Sequence, residues 1–216
     1  MFVQQQVIDD RLSAAWQLEP EERAWFDARE GHLCGSCGMS RRVRMLLWTL
    51  RRTAADLAGL SVLHLNDIRN LAPALAGAAA VVETVHDPRR PWGARIDSRT
   101  NQDMQRLGFD DARFDVVLHS ETIEHLEDYR RALSEALRVL KPGGRQVYTV
   151  PLLHARRTRS RQGLPPSFHG LKGEDKVLWE FGGDFLSERR PFLERVDYDD
   201  FWTNPTVFAV VERKPD

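Results

Sequence analysis

The sequence predicts an α/β sandwich of the Rossmann-like kind, with a mostly parallel sheet and an antiparallel C-terminal strand. Three observations carry this prediction. Apolar, β-branched runs alternate with segments of helical periodicity, the pattern that builds βαβ units. The cluster Lys141-Pro142-Gly143-Gly144 punctuates one passage from helix to strand. Two β-rich runs, at 195–202 and 207–211, close the chain around the turn Thr203-Asn204-Pro205-Thr206 and suggest an antiparallel edge.

Taken in order, Val43, Leu46, Leu47, Leu50, Ala54 and Leu57 recur at helical spacing between arginines and predict a helix over 41–58. Ser61 to Leu65 reads as a short strand, 70–80 as an Ala/Leu-rich helix, and Ala80 to Val85 as a second strand. Phe114 to His119 is apolar and β-branched, a third strand. Leu126, Tyr129, Leu133, Leu137 and Leu140 form the stripe of a helix that Lys141–Gly144 stops, and Arg145 to Val150 follows as a strand. Residues 154–176 are basic, bear Gly and Pro and lack periodicity, which predicts a long surface loop. A weaker helix is expected from Phe181 to Phe192. The predicted organisation is an N-terminal helical cap at 1–58, then the sandwich at 59–216 with a substrate loop at 152–180.

Composition narrows the function. The chain has 216 residues, 31 Lys+Arg against 32 Asp+Glu, and 42% hydrophobic residues. Near-neutral charge argues against a dedicated nucleic-acid or anionic-membrane binder. No basic leader followed by an apolar run opens the sequence, and no stretch approaches the ~20 apolar residues of a membrane span. The expectation is therefore a cytoplasmic domain, monomer or homodimer, acting on a small molecule. Cys34 and Cys37, with His32 before them, make half of a zinc site, but no second half at metal-ligand spacing follows, so no metal is expected.

In such a sheet, ligands sit beyond the C-terminal strand ends, near the point where strand order reverses. Glu83 falls 19 positions after His64, where a carboxylate can hold a ribose diol; on spacing alone a solvated edge glutamate is an equal reading. Asp103-Met104-Gln105-Arg106-Leu107-Gly108-Phe109-Asp110-Asp111-Ala112-Arg113-Phe114-Asp115 leads into Val116-Val117-Leu118-His119-Ser120-Glu121-Thr122-Ile123-Glu124-His125. Together with Lys141-Pro142-Gly143-Gly144-Arg145, this segment resembles the class I S-adenosylmethionine-dependent methyltransferases at several fixed offsets.

The resemblance implies S-adenosylmethionine as cofactor and a small polar acceptor, a sugar or natural-product intermediate, methylated at oxygen. It implies that Glu83 binds the ribose hydroxyls, that Asp103 meets the adenine amino group, and that Met104 lines the adenine face. His119 and Ser120 would border the cofactor's amino-acid end, with Glu121 and His125 at the reaction chamber. The family's first turn is normally Gly-rich, whereas this chain has His64-Leu65-Asn66-Asp67-Ile68-Arg69-Asn70. Asn66 and Asn70 tolerate the left-handed backbone that glycine would otherwise supply, so Asn66 and Asp67 are expected loop contacts beside His64. A divergent branch with a Cys-x-x-Cys and an Arg-rich helix before the fold resembles this chain better.

Histidine suits the proton removal that accompanies transfer to a hydroxyl. His125, at the expected helix start beyond the third strand, is the foremost base, with His154 as a second candidate, while His169 would contact the substrate. Arg156 and Arg157, in the predicted substrate loop, would clamp an anionic acceptor. Two other readings stay open. One is a non-catalytic methyltransferase-like partner subunit, and the other is a cofactor-binding enzyme of rearrangement without methyl transfer.

Overall fold

The computed structural model describes residues 2–4, 6–66, 68, 70–153, 156–169, 175–199 and 207–216. Among them, the main sheet has eight strands. They are β1 (Ser61–His64), β2 (Ala80–Val85), β3 (Arg95–Ile96), β4 (Arg99–Asn101), β5 (Phe114–Ser120), β6 (Leu140–Thr149), β7 (Leu193–Asp199) and β8 (Val207–Arg213). Their spatial order is β7-β8-β6-β5-β1-β2-β4-β3. From β6 to β4 neighbours run parallel, while β8, β7 and the edge strand β3 are antiparallel additions. The sandwich and its antiparallel C-terminal strands are as the sequence predicts; the connecting turn at 203–206 lies outside the described residues.

Helices α1 (Asp10–Trp16), α2 (Pro20–Glu30), α3 (Arg41–Thr53), α4 (Tyr129–Val139) and α5 (Asp184–Glu188) complete the fold. Each of the first four starts where a side chain satisfies the free backbone N–H groups of a first turn. Asp9 accepts from the Leu12 N–H at 2.7 Å, Glu22 from the Glu19 N–H at 3.2 Å, Ser40 from Val43 at 3.3 Å and Asp128 from Arg131 at 3.0 Å.

The sheet's two faces follow the alternation of its strands. Val62, Val116, Leu118, Val147 and Val211 pack against Val43, Leu46 and Leu50 of α3. Leu63, Val117, Tyr148 and Val210 face the other way, onto Ala132, Leu133 and Ala136 of α4 and onto Phe185 of α5. Helix α3, placed by the sequence in the N-terminal cap segment, thus covers this face over β5, β6, β7 and β8, beside Ile68, Leu71 and Leu75. Three expectations about elements are corrected. The stretch 70–80 holds only a 3-10 turn, Ala72–Leu75, because Pro73 and Gly77 deny it the length a helix needs. The helix expected over 181–192 is confined to Asp184–Glu188, since Trp179–Gly182 forms a strand. Helix α4 already ends at Val139: Leu140 pairs with Phe114 and Arg145 with Val116, so Lys141–Gly144 bulges out of the ladder instead of stopping a helix. In that bulge a Cβ on Gly144 would lie 2.8 Å from the Lys141 carbonyl oxygen, and Gly143 has φ 71°.

A buried charge cluster locks the C-terminal strands to α5. Glu212 on β8, fully enclosed, accepts from Arg189 Nε and Nη2 at 2.8 Å each, from Tyr148 Oη at 2.7 Å and from Gln146 Nε2 at 2.6 Å. Every bond is charge-assisted, and the two from Arg189 form a fork. Next to it, Tyr129 of α4 meets Trp179, Phe181 and Phe185 at centroid distances of 4.9, 5.1 and 6.0 Å, and donates to Glu188 at 2.9 Å. Removing one member of a buried pair strands the other's charge, so Glu212→Gln is expected to cost about 3–5 kcal/mol in urea unfolding. The double variant Arg189→Met/Glu212→Leu should recover most of that loss; a double variant as unstable as the single one would refute the charge argument.

Candidate active site

Strand order reverses between β1 and β5, so their C-terminal ends open onto the ligand side of the sheet. His64 ends β1, paired in register with Glu83 on β2 and Leu118 on β5. Its ring is buried, and its two nitrogens have opposite partners. The Ile68 N–H donates to Nε2 at 3.3 Å, which leaves Nδ1 to carry the proton and donate to Glu83 Oε1 at 3.4 Å. His64 lies at the cleft wall, and both of its ring nitrogens are engaged within the fold. It aims Glu83, whose carboxylate remains 27% exposed toward the cleft.

The turn after β1 has no glycine, and the two asparagines stand in for it: Asn66 has φ 59° and Asn70 φ 63°. The Asn66 N–H donates to Thr84 Oγ1 and its Nδ2 to Thr122 Oγ1, each at 3.3 Å. Thr122 in turn donates to the Ser120 carbonyl at 3.2 Å, and the Ser120 and Thr149 hydroxyls are 2.7 Å apart. A hydroxyl chain, with Asn66 and the Ser120 backbone as its links, thus runs across the ends of β2, β5 and β6. The Cys34–Cys37 turn supports the loop from outside: Gly38, at φ 67°, sits so close that a Cβ would come within 2.8 Å of Asn70 Nδ2. Between them opens a cleft of about 440 Å³ lined by His64, Ile68, Asn70, Glu83 and Asp97–Arg99. The 95–101 hairpin that forms its far wall was not foreseen; Gly93 at φ 79° and Asp97 at φ 55° are its turn signals.

Asp103 makes a local turn, accepting from the Gln105 N–H at 2.8 Å, and is half-buried. Met104 turns into the core with Leu107 and Phe114. Arg138 of α4 holds this segment by donating to the Leu107 and Phe109 carbonyls, each at 2.9 Å. His119 is corrected outright. It is fully buried and stacked on Tyr148 at 4.5 Å, and desolvation drives its pKa down to about 3, so it is a neutral core ring sealed from the cleft. Ser120, by contrast, ends β5 at the mouth.

Glu121 follows in a left-handed backbone, φ 46°, with its N–H on the Thr149 carbonyl at 3.1 Å. His125 lies in a 3-10 turn, Ile123–His125, instead of opening the helix, because Asp128 caps α4 further on. Its Nδ1 is 2.9 Å from the Lys176 carbonyl and so donates, leaving Nε2 as the nitrogen that titrates. Burial lowers its pKa, and the Lys176 bond works against that shift. The Leu178 N–H donates to the Glu124 carbonyl at 2.7 Å, so the same two elements are tied twice.

The loop arginines differ in their surroundings. Arg156 pairs with Glu22 of α2, Arg159 and Arg161 both pair with Glu180, and Arg157 is exposed. Asp67 and His154 lie outside the described residues, and so does the side chain of His169. Cys34 Sγ receives the N–H groups of Ser36 and Cys37 and the Cys37 thiol, which lower its pKa to about 7. Among the described residues no group of three or more His, Cys, Asp or Glu could hold a metal ion, and no helix is long and apolar enough to cross a membrane. The reading of the sequence missed Thr84 and Thr122 and took Arg42 only as one of a run of arginines able to clamp an anionic substrate; position near a strand end was the signal for Thr84, and Thr122 carried none.

A methyltransferase-domain family model matches residues 66–148. A demethylmenaquinone methyltransferase from Clavibacter sepedonicus is 30% identical over 185 residues, covering 78% of this chain and 74% of that protein. The N-methyltransferase NodS from Bradyrhizobium japonicum, solved with S-adenosyl-L-homocysteine, superposes with a TM-score of 0.55 at 15% identity, over 82% of this chain and 87% of its own. The Burkholderia thailandensis 1,6-didemethyltoxoflavin N1-methyltransferase superposes with a TM-score of 0.54 at 19% identity, over 100% of this chain and 94% of its own.

The left-handed turn yields its own test. Asn66→Val forces a β-branched residue to positive φ and should lower stability by about 1–2 kcal/mol in thermal unfolding. Asn66→Gly, free of that strain, should cost clearly less. Equal losses would mean that the side-chain bond to Thr122, and not the backbone, decides the residue.

Proposed function

Because the chain belongs to the class I S-adenosylmethionine-dependent methyltransferases, we propose that it methylates a hydroxyl of a small acceptor at the mouth between β5 and β6. When bound, S-adenosylmethionine supplies the electrophilic methyl group. The observation that carries the placement is the His64–Glu83 brace beside the left-handed Asn66–Asn70 turn. A carboxylate facing a cleft suits a vicinal diol, and its neutral imidazole partner keeps it aimed. The polar cleft of about 440 Å³ is of a size to take a nucleoside.

The chain's residues then divide the work. Glu83 orients the ribose end, and Asp103 borders the adenine end beyond β4. Ser120 and the hydroxyl chain to Thr149 line the transit from cofactor to acceptor. His125 Nε2 accepts the proton that the acceptor hydroxyl loses, and burial keeps the ring neutral for that task at neutral pH. Most of the acceleration comes from holding the acceptor in line with the methyl group, to which the base adds. The acceptor approaches from the side of α2, where Leu18, Phe26, Leu153, Trp179 and Phe181 line a small, mostly apolar hollow of about 20 Å³ just past β6. Since Arg156, Arg159 and Arg161 face glutamates, an anionic group is not required of it.

Titration calorimetry with S-adenosylhomocysteine tests the cofactor site. Glu83→Ala should weaken binding by about 10–100-fold, the loss of one or two charge-assisted bonds; unchanged affinity would move the ribose elsewhere. For the base, His125→Asn keeps a donor for the Lys176 carbonyl and removes the titrating nitrogen. It should lower kcat of labelled-methyl transfer by about 100-fold or more with cofactor affinity unaltered. A fully active His125→Asn enzyme would leave that ring a purely structural part.

A further inference from the structure

The N-terminal segment reaches the same mouth through one side chain. Arg42 is the second residue of α3, and its Nη1 lies 3.8 Å from Glu121 Oε2, whose side chain is only 7% exposed. Helix α3 opens with Arg41-Arg42 and has no acidic residue in its first turn. Cations there oppose the positive end of the helix dipole, so this placement needs an outside counter-charge. Glu121 supplies it, and Glu121 is itself held in a backbone conformation that residues with a side chain rarely adopt, anchored by the Thr149 carbonyl. A strained acidic residue at a strand end, met by an arginine from a separate element, marks a position set by function more than by folding.

We propose that Arg42 is a positioning residue of the methyl transfer: its guanidinium fixes the Glu121 carboxylate, and the pair sets the electrostatic field at His125. The inference rests on the reading of His125 as the proton acceptor. Four charged groups face that ring. Glu124, from its own turn, brings Oε1 to 3.6 Å of Nε2. Glu121 and Arg42 act from the ends of β5 and α3, and Asp175 from the segment that also offers the Lys176 carbonyl. The two acids Glu121 and Asp175 favour the protonated ring, whereas Arg42 disfavours it. Loss of Arg42 removes a cation that disfavours the protonated ring, so the ring should hold its proton to higher pH. Loss of the Glu121 charge should do the reverse.

The test is the titration of the His125 ring by NMR in the full-length protein, alongside the pH dependence of kcat/KM. Arg42→Gln should move the ring's midpoint up by ~0.5 pH unit and Glu121→Gln down by a similar amount, while Arg42→Lys stays near the parent. The acid limb of kcat/KM should follow in the same directions. A ring midpoint unmoved in Glu121→Gln, or moved by Arg42→Lys as much as by Arg42→Gln, overturns the inference whatever the activity shows. Opposite ring shifts with an unmoved acid limb would uphold the field from Arg42 and Glu121 and defeat the base reading instead.

Discussion

A single imidazole, that of His64, ties the turn after β1 to the carboxylate on β2, and the rest of the site depends on it. Its Nε2 must accept from the Ile68 N–H, and this is possible only while the ring is neutral. With Nε2 so occupied, the proton sits on Nδ1 and points at Glu83. The tautomer, the loop and the carboxylate are therefore one choice. The ring is enclosed at the end of β1, so both of these bonds are shielded from water. Where a Gly-rich turn would let the backbone itself approach a ligand, this chain uses asparagines at positive φ and a histidine as the strut beneath them.

The strut makes the site rigid from below, and the N-terminal segment makes it rigid from the side. Gly38 presses on Asn70, Met39 packs in the same cluster as Ile68 and Leu71, and Arg42 meets Glu121. Gly38, Met39 and Arg42 all precede the segment that the family model matches, residues 66–148. Even so, they touch the first loop and the mouth directly. The segment thus serves as the outer wall of a site whose floor is the sheet.

Much of this was legible in the sequence. The strands at 61–64, 80–85 and 114–120 announced themselves as β-branched runs bounded by polar residues, and the chemistry of asparagine foretold the positive φ at 66 and 70. What stayed hidden depends on which face a side chain takes. His119 and Ser120 are adjacent in sequence, yet one is locked in the core against Tyr148 and the other ends at the mouth. A period of two separates them, and only the observed register of β5 against β6 says which is which. Helices α1 and α2 carried readable start signals, Asp9 and the Glu19–Glu22 pair with Pro20 between them, which their weak apolar periodicity obscured.

The arginine runs show how far composition misleads when pairing is unknown. A net charge of -1 is compatible with free cationic surfaces balanced by acidic ones, and the runs near 41–52 and 156–161 suggest a mouth for anions. In the fold they are tethers. Arg42 reaches Glu121, Arg52 reaches Asp197 at 3.1 Å, Arg156 reaches Glu22, and Arg161 is enclosed with Glu180. Each pair joins two separate segments of the chain and so sets their alignment. Arg52 and Arg42 lie on one helix and pin it at both ends, one to β7 and one to the mouth. Between those pins, Val43, Leu46 and Leu50 supply the apolar contact that holds α3 to the sheet. Apolar burial thus supplies the adhesion of the N-terminal segment, and the charges set its register against the site.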